Sequence, residues 1–274
     1  MHIDHDNTPL DLCSVDDLFR LAVTSQDADQ AWSAIERLQS LDTEIVFAEA
    51  VRLCHRQDAR QRQVGVDVLG QWSLPQQTSH ESIVQALLTL LETEDSPEVL
   101  ASLGVALGHR GDARAIRPLL ALQQHRDRDV RHGVVFGLLG HTDPRAIDCL
   151  IALSADSDVR VRDWATFGLA VQIDTDTPEL RAALLARLHD SDGDTAGEAM
   201  VGLARRKDRR VVAPLLELLQ SGHAGSLPLE AAALADPVLL PTLQQIQALW
   251  SGKQEWPYQL LEEAIVACTS PTRD

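Results

Sequence analysis

One phrase occurs twice in the middle of the chain, and its recurrence constrains the fold more than any other feature. Residues 100–116 read LASLGVALGHRGDARAI, and residues 131–147 read RHGVVFGLLGHTDPRAI. Both segments have leucine seven residues and aspartate twelve residues after their first residue. A repeat of this length is typical of chains built from stacked supersecondary units, in which each unit buries its apolar side against its neighbours.

The same register extends through most of the chain as eight repeats. The first residue of each repeat is position zero, and these residues are Ala31, Arg62, Leu100, Arg131, Arg162, Ala196, Leu227 and Tyr258. The first seven repeats have leucine at plus seven, and the eighth has Ile265 there. Two polar, turn-rich insertions, 71–82 and 172–178, account for the longer spacings.

The pattern of each repeat predicts a pair of helices. The second helix is expected from about minus three to plus eight, because positions plus three, six and seven carry small or apolar residues on one helical face. Glycine or alanine at plus six would let neighbouring helices approach closely. Asp112 and Asp143, at plus twelve, are each expected to cap the first helix of the next repeat. Pro144 is expected at the first position of the helix that Asp143 caps.

No segment alternates polar and apolar residues in the way that indicates a strand. The sequence therefore predicts an all-α, right-handed solenoid of about eight stacked helix pairs, an α–α superhelix, with the second helices on its concave side. Residues 1–12 are expected to form an N-terminal tail and residues 13–274 a single domain.

The repeated strings EVLASLGVALGHRGDARA (98–115) and DVRHGVVFGLLGHTDPRA (129–146) resemble HEAT repeats, in particular the short type first noted in phycobilisome lyases. The strings DVRVRDWATFGLAV (158–171) and GLARRKDRRVVAPLLELL (202–219) are similar to the small bacterial YibA-like proteins of this group. The resemblance implies a HEAT/armadillo-like solenoid. Because such relatives tend to be encoded beside Rhs-type toxin elements, it also implies an immunity role toward a toxin.

Charge restricts the class of partner. The chain of 274 residues has 41 Asp and Glu against 24 Lys and Arg, a net charge of −17. This balance disfavours binding to nucleic-acid backbones, and it favours a basic protein partner through long-range attraction. A cationic run at 205–210 is interpreted as a solvated helix end. With no secretory signal, membrane-length apolar stretch or CxxC pair, we expect a cytoplasmic protein with reduced thiols.

Catalytic signatures are sparse in this sequence. It has no GxSxG motif, no phosphate-binding or dinucleotide-binding glycine loop and no histidine spacing typical of a metal site. One dipeptide, His80-Glu81, falls short of the repeated His-Glu pairs of the HEAT-repeat enzyme deoxyhypusine hydroxylase. We expect no catalytic residue, cofactor or metal, and therefore a non-catalytic binding scaffold. A lyase-like or metal-dependent HEAT-repeat enzyme and a DNA-handling protein are the alternatives.

Arginine recurs at position zero as Arg62, Arg131 and Arg162. We expect these arginines to have a structural role, because residues fixed by a repeat generally serve stacking. Their expected partners are the carboxylates close to them in sequence, namely Asp58, Asp127, Asp129 and Asp158.

The predicted partner-binding face uses second-helix positions that the core leaves over, namely plus one, two, five and nine. The candidate residues are Val105, His109, His132, Phe136, Asp163, Trp164, Phe167, Glu198, Val201 and Arg205. Aromatic side chains among charged ones are typical of interfaces. We expect Phe136, Trp164 and Phe167 to anchor the partner and Asp163 and Glu198 to make charged contacts. The alternative is that Phe136 and Phe167 pack between neighbouring second helices.

Overall fold

The computed structural model describes residues 10–41, 43–71, 77–222, 225–234, 236–250 and 258–269, with only the backbone described at 77–79. Over these residues the chain forms sixteen α-helices and no strand. The helices are α1 (Val15–Thr24), α2 (Ala28–Ser40), α3 (Glu44–Cys54), α4 (Ala59–Gln71), α5 (Gln77–Leu91), α6 (Pro97–Arg110), α7 (Ile116–Leu120), α8 (Arg128–Leu138), α9 (Pro144–Leu153), α10 (Val159–Phe167), α11 (Pro178–Arg187), α12 (Gly193–Arg205), α13 (Val212–Gln220), α14 (Ser226–Leu234), α15 (Leu240–Leu249) and α16 (Tyr258–Thr269).

The even-numbered helices are the predicted second helices. Each begins and ends within about three residues of the bounds that the register gives, so the eight predicted pairs are confirmed. The helix α10 continues as a π-helical turn over Gly168–Gln172. The chain divides into two compact units, which we call unit 1 (Met1–Leu138) and unit 2 (Leu139–Asp274). Each unit contains four helix pairs. The single domain over 13–274 and the handedness of the superhelix stay predictions.

The leucines at plus seven form the core of both units, as predicted. Those of the first six repeats are completely buried, namely Leu38, Leu69, Leu107, Leu138, Leu169 and Leu203. In the last two repeats Leu234 and Ile265 are half-buried instead. Because Glu230 occupies plus three of α14 and is exposed, this helix turns a different face inward and buries Leu229 and Ala232.

The predicted caps begin the first helices of several pairs. Asp112 and Asp143 accept hydrogen bonds from the backbone N–H groups two residues later, at 2.9 and 2.8 Å. Asp208 does the same at 3.1 Å and is nearly buried. The insertion at 172–178 moves this role from plus twelve to Thr177, which caps α11. Of the other insertion, residues 72–76 lie outside the described residues, and residues 77–82 form part of α5 rather than a turn.

Small residues allow close contact between second helices. A Cβ atom on Gly104 of α6 would lie 2.4 Å from the backbone C and O atoms of Gly133 on α8. At plus six, a Cβ on Gly137 of α8 would lie 3.0 Å from the backbone O atom of Gly104 on α6. In unit 2 a Cβ on Gly202, again at plus six, would lie 2.8 Å from Cα of Ala170. The close approach predicted at plus six is confirmed.

The position-zero arginines are structural, but the acidic partners expected for Arg62 and Arg162 were wrong. Arg62 forms a two-pronged ion pair with Glu94, at 2.7 and 2.8 Å, and Arg162 forms one with Asp190, at 3.0 and 3.0 Å. Each acid precedes the next second helix by a few residues. The four nearby carboxylates that were expected as partners differ in role: Asp58, Asp127 and Asp158 accept backbone N–H groups at helix starts, and Asp129 lines the groove described below.

Position-zero arginines also bind the turn before their own helix. Arg131 donates to the carbonyls of His125 and Arg126, as Arg62 does to those of Arg56 and Gln57. These bonds tie the turn inside a helix pair to its second helix. The arginine therefore holds each turn in place and, through Glu94 or Asp190, joins consecutive pairs.

Candidate functional site

An open groove of about 520 Å³ lies in unit 1 across the second helices α2, α4, α6 and α8. Its lining residues are Ala28, Asp29, Ala31, Trp32, Ile35, Arg60, Gln63, Asp67, Ala101, Ser102, Val105, Asp129 and His132. We call this cavity the unit 1 groove. Two of the predicted site residues, Val105 and His132, lie in it.

The remaining predicted residues of unit 1 lie outside the lining of the groove. Phe136 is half-buried and contacts His132, with the ring centroids 5.0 Å apart and the ring planes tilted by 54°. His109 is exposed in the last turn of α6. Partial desolvation and the positive charge of the neighbouring Arg110 lower the pKa of His109, so its charged form is disfavoured.

Asp67 is the centre of a polar network in the unit 1 groove. The Ser102 hydroxyl lies near its carboxylate and acts to lower its pKa, and Gln63 Nε2 donates a hydrogen bond to Ser102 Oγ at 3.4 Å. Burial raises the pKa of Asp67 to about 6, although Ser102 and Arg60 act in the opposite direction. Arg60 itself donates to the backbone carbonyl of Ala22, at 2.8 Å, and to Gln63 Oε1, at 3.1 Å.

Unit 2 presents a second aromatic pair on α10. Trp164 and Phe167 are half-buried and meet edge to face, with ring centroids 5.5 Å apart and an interplanar angle of 80°. Val201 on α12 is completely buried and is therefore a core residue rather than part of an exposed face. The plus-five position thus changes from half-buried at Phe167 to buried at Val201.

Two half-buried carboxylates lie on the second helices of unit 2, Asp163 on α10 and Glu198 on α12. Burial raises the pKa of Asp163 to about 6, and the charges of Asp192 and Asp194 add to the shift. Burial also raises the pKa of Glu198 to about 7, with repulsion from Asp163, Glu230 and Asp194. Glu198 Oε2 is buried without a hydrogen-bond donor among the described residues. This face therefore has negative charge that its own neighbours do not neutralise.

The cationic run at 205–210 was interpreted as a solvated helix end, and this was wrong for Arg206. Its guanidinium is buried and donates to the backbone carbonyls of Leu169 (2.8 Å), Ile173 (2.6 Å) and Thr175 (3.1 Å). These carbonyls lie within and just after the π-helical turn that ends the preceding second helix, and carbonyls at a helix end need donors. Arg206 is structural for this reason.

The other cations of this run contact nearby acceptors. Arg205 is exposed, 3.9 Å from Asp174, and Arg209 lies 2.9 Å from Asp236. Arg210 pairs with Asp208 at 2.6 Å, and Lys207 Nζ donates to the carbonyl of Leu234. Each of these four cations therefore has a carboxylate or carbonyl acceptor close to it.

In the described part of the chain, no three His, Cys, Asp or Glu side chains are grouped so that they could hold a metal ion. None of the helices described here is both long and apolar enough to cross a membrane. Cys54 and Cys149 are buried, and burial raises the pKa of each thiol to about 12. These thiols are therefore inert core side chains.

Sequence reasoning missed the residues that give the unit 1 groove its chemistry. Trp32 and Gln63 are at plus one, Ser102 is at plus two and Asp67 is at plus five. These are positions that the register had already assigned to the partner-binding face in later repeats. Applying the same rule to the first three repeats would have found all four residues.

Comparison with known proteins agrees with this architecture. The family model for HEAT repeats matches residues 84–170 and 116–196. The crystal structure of YibA from Escherichia coli covers 94% of this chain and 93% of its own, with a TM-score of 0.75 and 23% identity. An engineered protein covers 93% of this chain and 78% of its own, with a TM-score of 0.51 and 19% identity. No curated protein matches the sequence. Residues 84–196 therefore match HEAT repeats, and the described residues have the all-α fold of HEAT-repeat proteins of known structure.

Proposed function

We propose that this protein is a non-catalytic scaffold that binds a protein partner on the exposed faces of its second helices. The observation that carries the proposal is the pair of half-buried aromatic contacts at positions outside the leucine core, His132–Phe136 and Trp164–Phe167. Partly exposed aromatic side chains supply much of the binding energy of protein interfaces. A HEAT-repeat fold also presents a long surface of this kind.

The charge of these faces favours a basic partner. In unit 2, Asp163 and Glu198 bring carboxylates beside the aromatic pair of α10. The net charge of −17 adds long-range attraction, which accelerates association and weakens as salt rises. A basic toxin domain, with this chain as its immunity protein in the cytoplasm, is the specific form of the proposal. The resemblance to YibA-like proteins is its support.

The experiment compares partner capture by three forms of the full chain. The products of neighbouring genes are passed over immobilised wild type, the Trp164→Ala, Phe167→Ala double mutant, and a Val238→Ala, Leu249→Ala control. Val238 and Leu249 are more than half exposed, but Leu249 ends α15, the first helix of the last pair, and Val238 lies in the short 3-10 turn before that helix. We expect the partner to be lost from the first double mutant and retained by the control.

Equal binding to both double mutants would place the site away from α10. Turnover of a small molecule by the purified chain, without any protein partner, would replace the scaffold by the enzyme alternative.

A further inference from the structure

The unit 1 groove combines an accessible indole with a half-buried carboxylate. Trp32 is 42% exposed, although large apolar side chains of this kind are usually covered. Its Nε1 donates to Glu36 Oε1 at 2.9 Å, and this bond restrains the ring on the surface of α2. The face of the indole is therefore available on a ring of restricted orientation. Such a ring loses little conformational entropy when a ligand packs on it.

The carboxylate of Asp67 has acceptor capacity that the groove does not use. An ionised carboxylate can accept about four hydrogen bonds, and the nearby Ser102 hydroxyl is placed to supply one of them. Arg60 is near enough to favour the ionised form, but its guanidinium donates to Ala22 and Gln63. Burial raises the pKa of Asp67. The ionised form is therefore poorly solvated, and a cation brought to it would compensate that cost.

The lining of the groove is acidic as well as aromatic. It contains the three carboxylates Asp29, Asp67 and Asp129 against the guanidinium of Arg60 and the imidazole of His132. Small side chains such as Ala31 and Ala101 leave the space between the helices open. A volume of about 520 Å³ lies in the range of cavities that enclose small ligand groups.

We infer that the unit 1 groove binds an arginine side chain of the protein partner, with its guanidinium on Trp32 and hydrogen-bonded to Asp67. Arginine fits better than lysine because its planar, weakly hydrated guanidinium stacks on aromatic rings and binds carboxylates with two parallel hydrogen bonds. This inference rests on the proposed function, since it names the chemistry of the partner. It concerns a different unit from the aromatic pair of α10.

The test uses a fluorescein-labelled decapeptide of alternating glycine and arginine, titrated with the full chain and followed by fluorescence anisotropy at fixed salt. A matched peptide carries citrulline, which has the shape of arginine without its charge. We expect the citrulline peptide to bind at least about tenfold more weakly, the scale of one charge-assisted hydrogen bond. Trp32→Ala should weaken the arginine peptide by several-fold, the scale of a cation–aromatic contact.

Asp67→Asn is the decisive variant, and Glu92→Gln is its matched control. Both substitutions remove one negative charge from unit 1, but Glu92 is exposed in the turn after α5, outside the groove. We expect Asp67→Asn to weaken the arginine peptide about tenfold and Glu92→Gln to leave it unchanged. If Asp67→Asn disturbs folding, Trp32→Ala carries the test, because Trp32 is exposed.

Equal binding of the two peptides, or equal loss in Asp67→Asn and Glu92→Gln, would overturn the inference. Capture of a natural partner that depends on Trp164 and Phe167 but not on Trp32 or Asp67 would overturn it while leaving the proposed function intact. Groove-dependent peptide binding with no capture of a natural partner would refute the proposed function instead.

Discussion

The ion pair between Arg162 and Asp190 gives a stability prediction with a defined size. Both side chains are largely buried, at 14% and 5% exposure, and they share two hydrogen bonds of 3.0 Å. Removing one partner of a buried pair typically costs about 3–5 kcal/mol. Asp190→Asn keeps one acceptor oxygen, and Arg162 keeps its bonds to the carbonyls of Asp156 and Ser157. We therefore expect a loss of about 2–3 kcal/mol in the free energy of unfolding at pH 7.

The same pair predicts a pH dependence. Burial alone would raise the pKa of Asp190, but hydrogen bonds from Arg162 and from the backbone N–H of Asp192 outweigh it and place the pKa below its usual value. A carboxyl with a lowered pKa stabilises the fold fully above its unfolded-state pKa, near 4, and loses this effect as the pH falls below it. The difference between wild type and Asp190→Asn should therefore narrow below about pH 4.

Urea unfolding followed by circular dichroism measures both effects, and Asp148→Asn is the control. Asp148 is exposed on α9, so the same chemical change there should alter the free energy by less than about 0.5 kcal/mol. An Asp190→Asn variant as stable as this control at pH 7, or a difference that persists unchanged in acid, would refute the structural role of position-zero arginines.

Three further predictions concern packing and charge. Gly104→Ala should destabilise by about 1–3 kcal/mol in urea unfolding, because the new Cβ meets the backbone of Gly133, whereas Gly193→Ala, with no atom within 4 Å, should not. Leu169→Ala should cost about 2–5 kcal/mol in the same assay, and a loss under about 0.5 kcal/mol would contradict the register. Because burial raises the pKa of Glu198, its ionised form disfavours the fold. Glu198→Gln should therefore stabilise by about 1 kcal/mol at pH 8, after allowance for partial exposure, and the gain should narrow toward pH 5; destabilisation at pH 8 would contradict this reasoning.

The sequence predicted the helix pairs well because their signal is local. Leucine at plus seven and aspartate caps such as Asp143 act within one helix or across one turn. The same rules applied poorly to α14, where Glu230 interrupts the apolar face and the core shifts to Leu229 and Ala232. Where a repeat departs from its pattern, the face that is buried depends on the neighbouring helices and cannot be predicted from that repeat alone.

Contacts between consecutive pairs were harder to predict. The partner of Arg162 is 28 residues away, and that of Arg62 is 32 residues away, so sequence proximity pointed to the wrong carboxylates. A signal was present nonetheless. Glu94 and Asp190 each lie two residues before the N-cap of the second helix that follows an arginine-containing repeat. The repeat that begins at Leu100 has no arginine at position zero, and the residue at the equivalent place after it is His125 rather than an acid.

The candidate site was predicted in part. The face of the second helices followed from the register, and Phe136, Trp164 and Phe167 are half-buried there. Val201 could not be told from an exposed residue, because burial at plus five depends on the helix packed above it. The unit 1 groove depends on side chains from four helices, and no single repeat indicates such a cavity.

Photo-crosslinking tests the central claim most directly. Benzoylphenylalanine is placed in turn at Phe136 and Phe167 on second helices, and at Ala152 and Ala186, which are exposed on the first helices α9 and α11. The cells are then irradiated with the partner genes present. We predict that a protein crosslinks to the probes at positions 136 and 167 and not to those at 152 and 186. Crosslinks confined to the first helices would contradict the account.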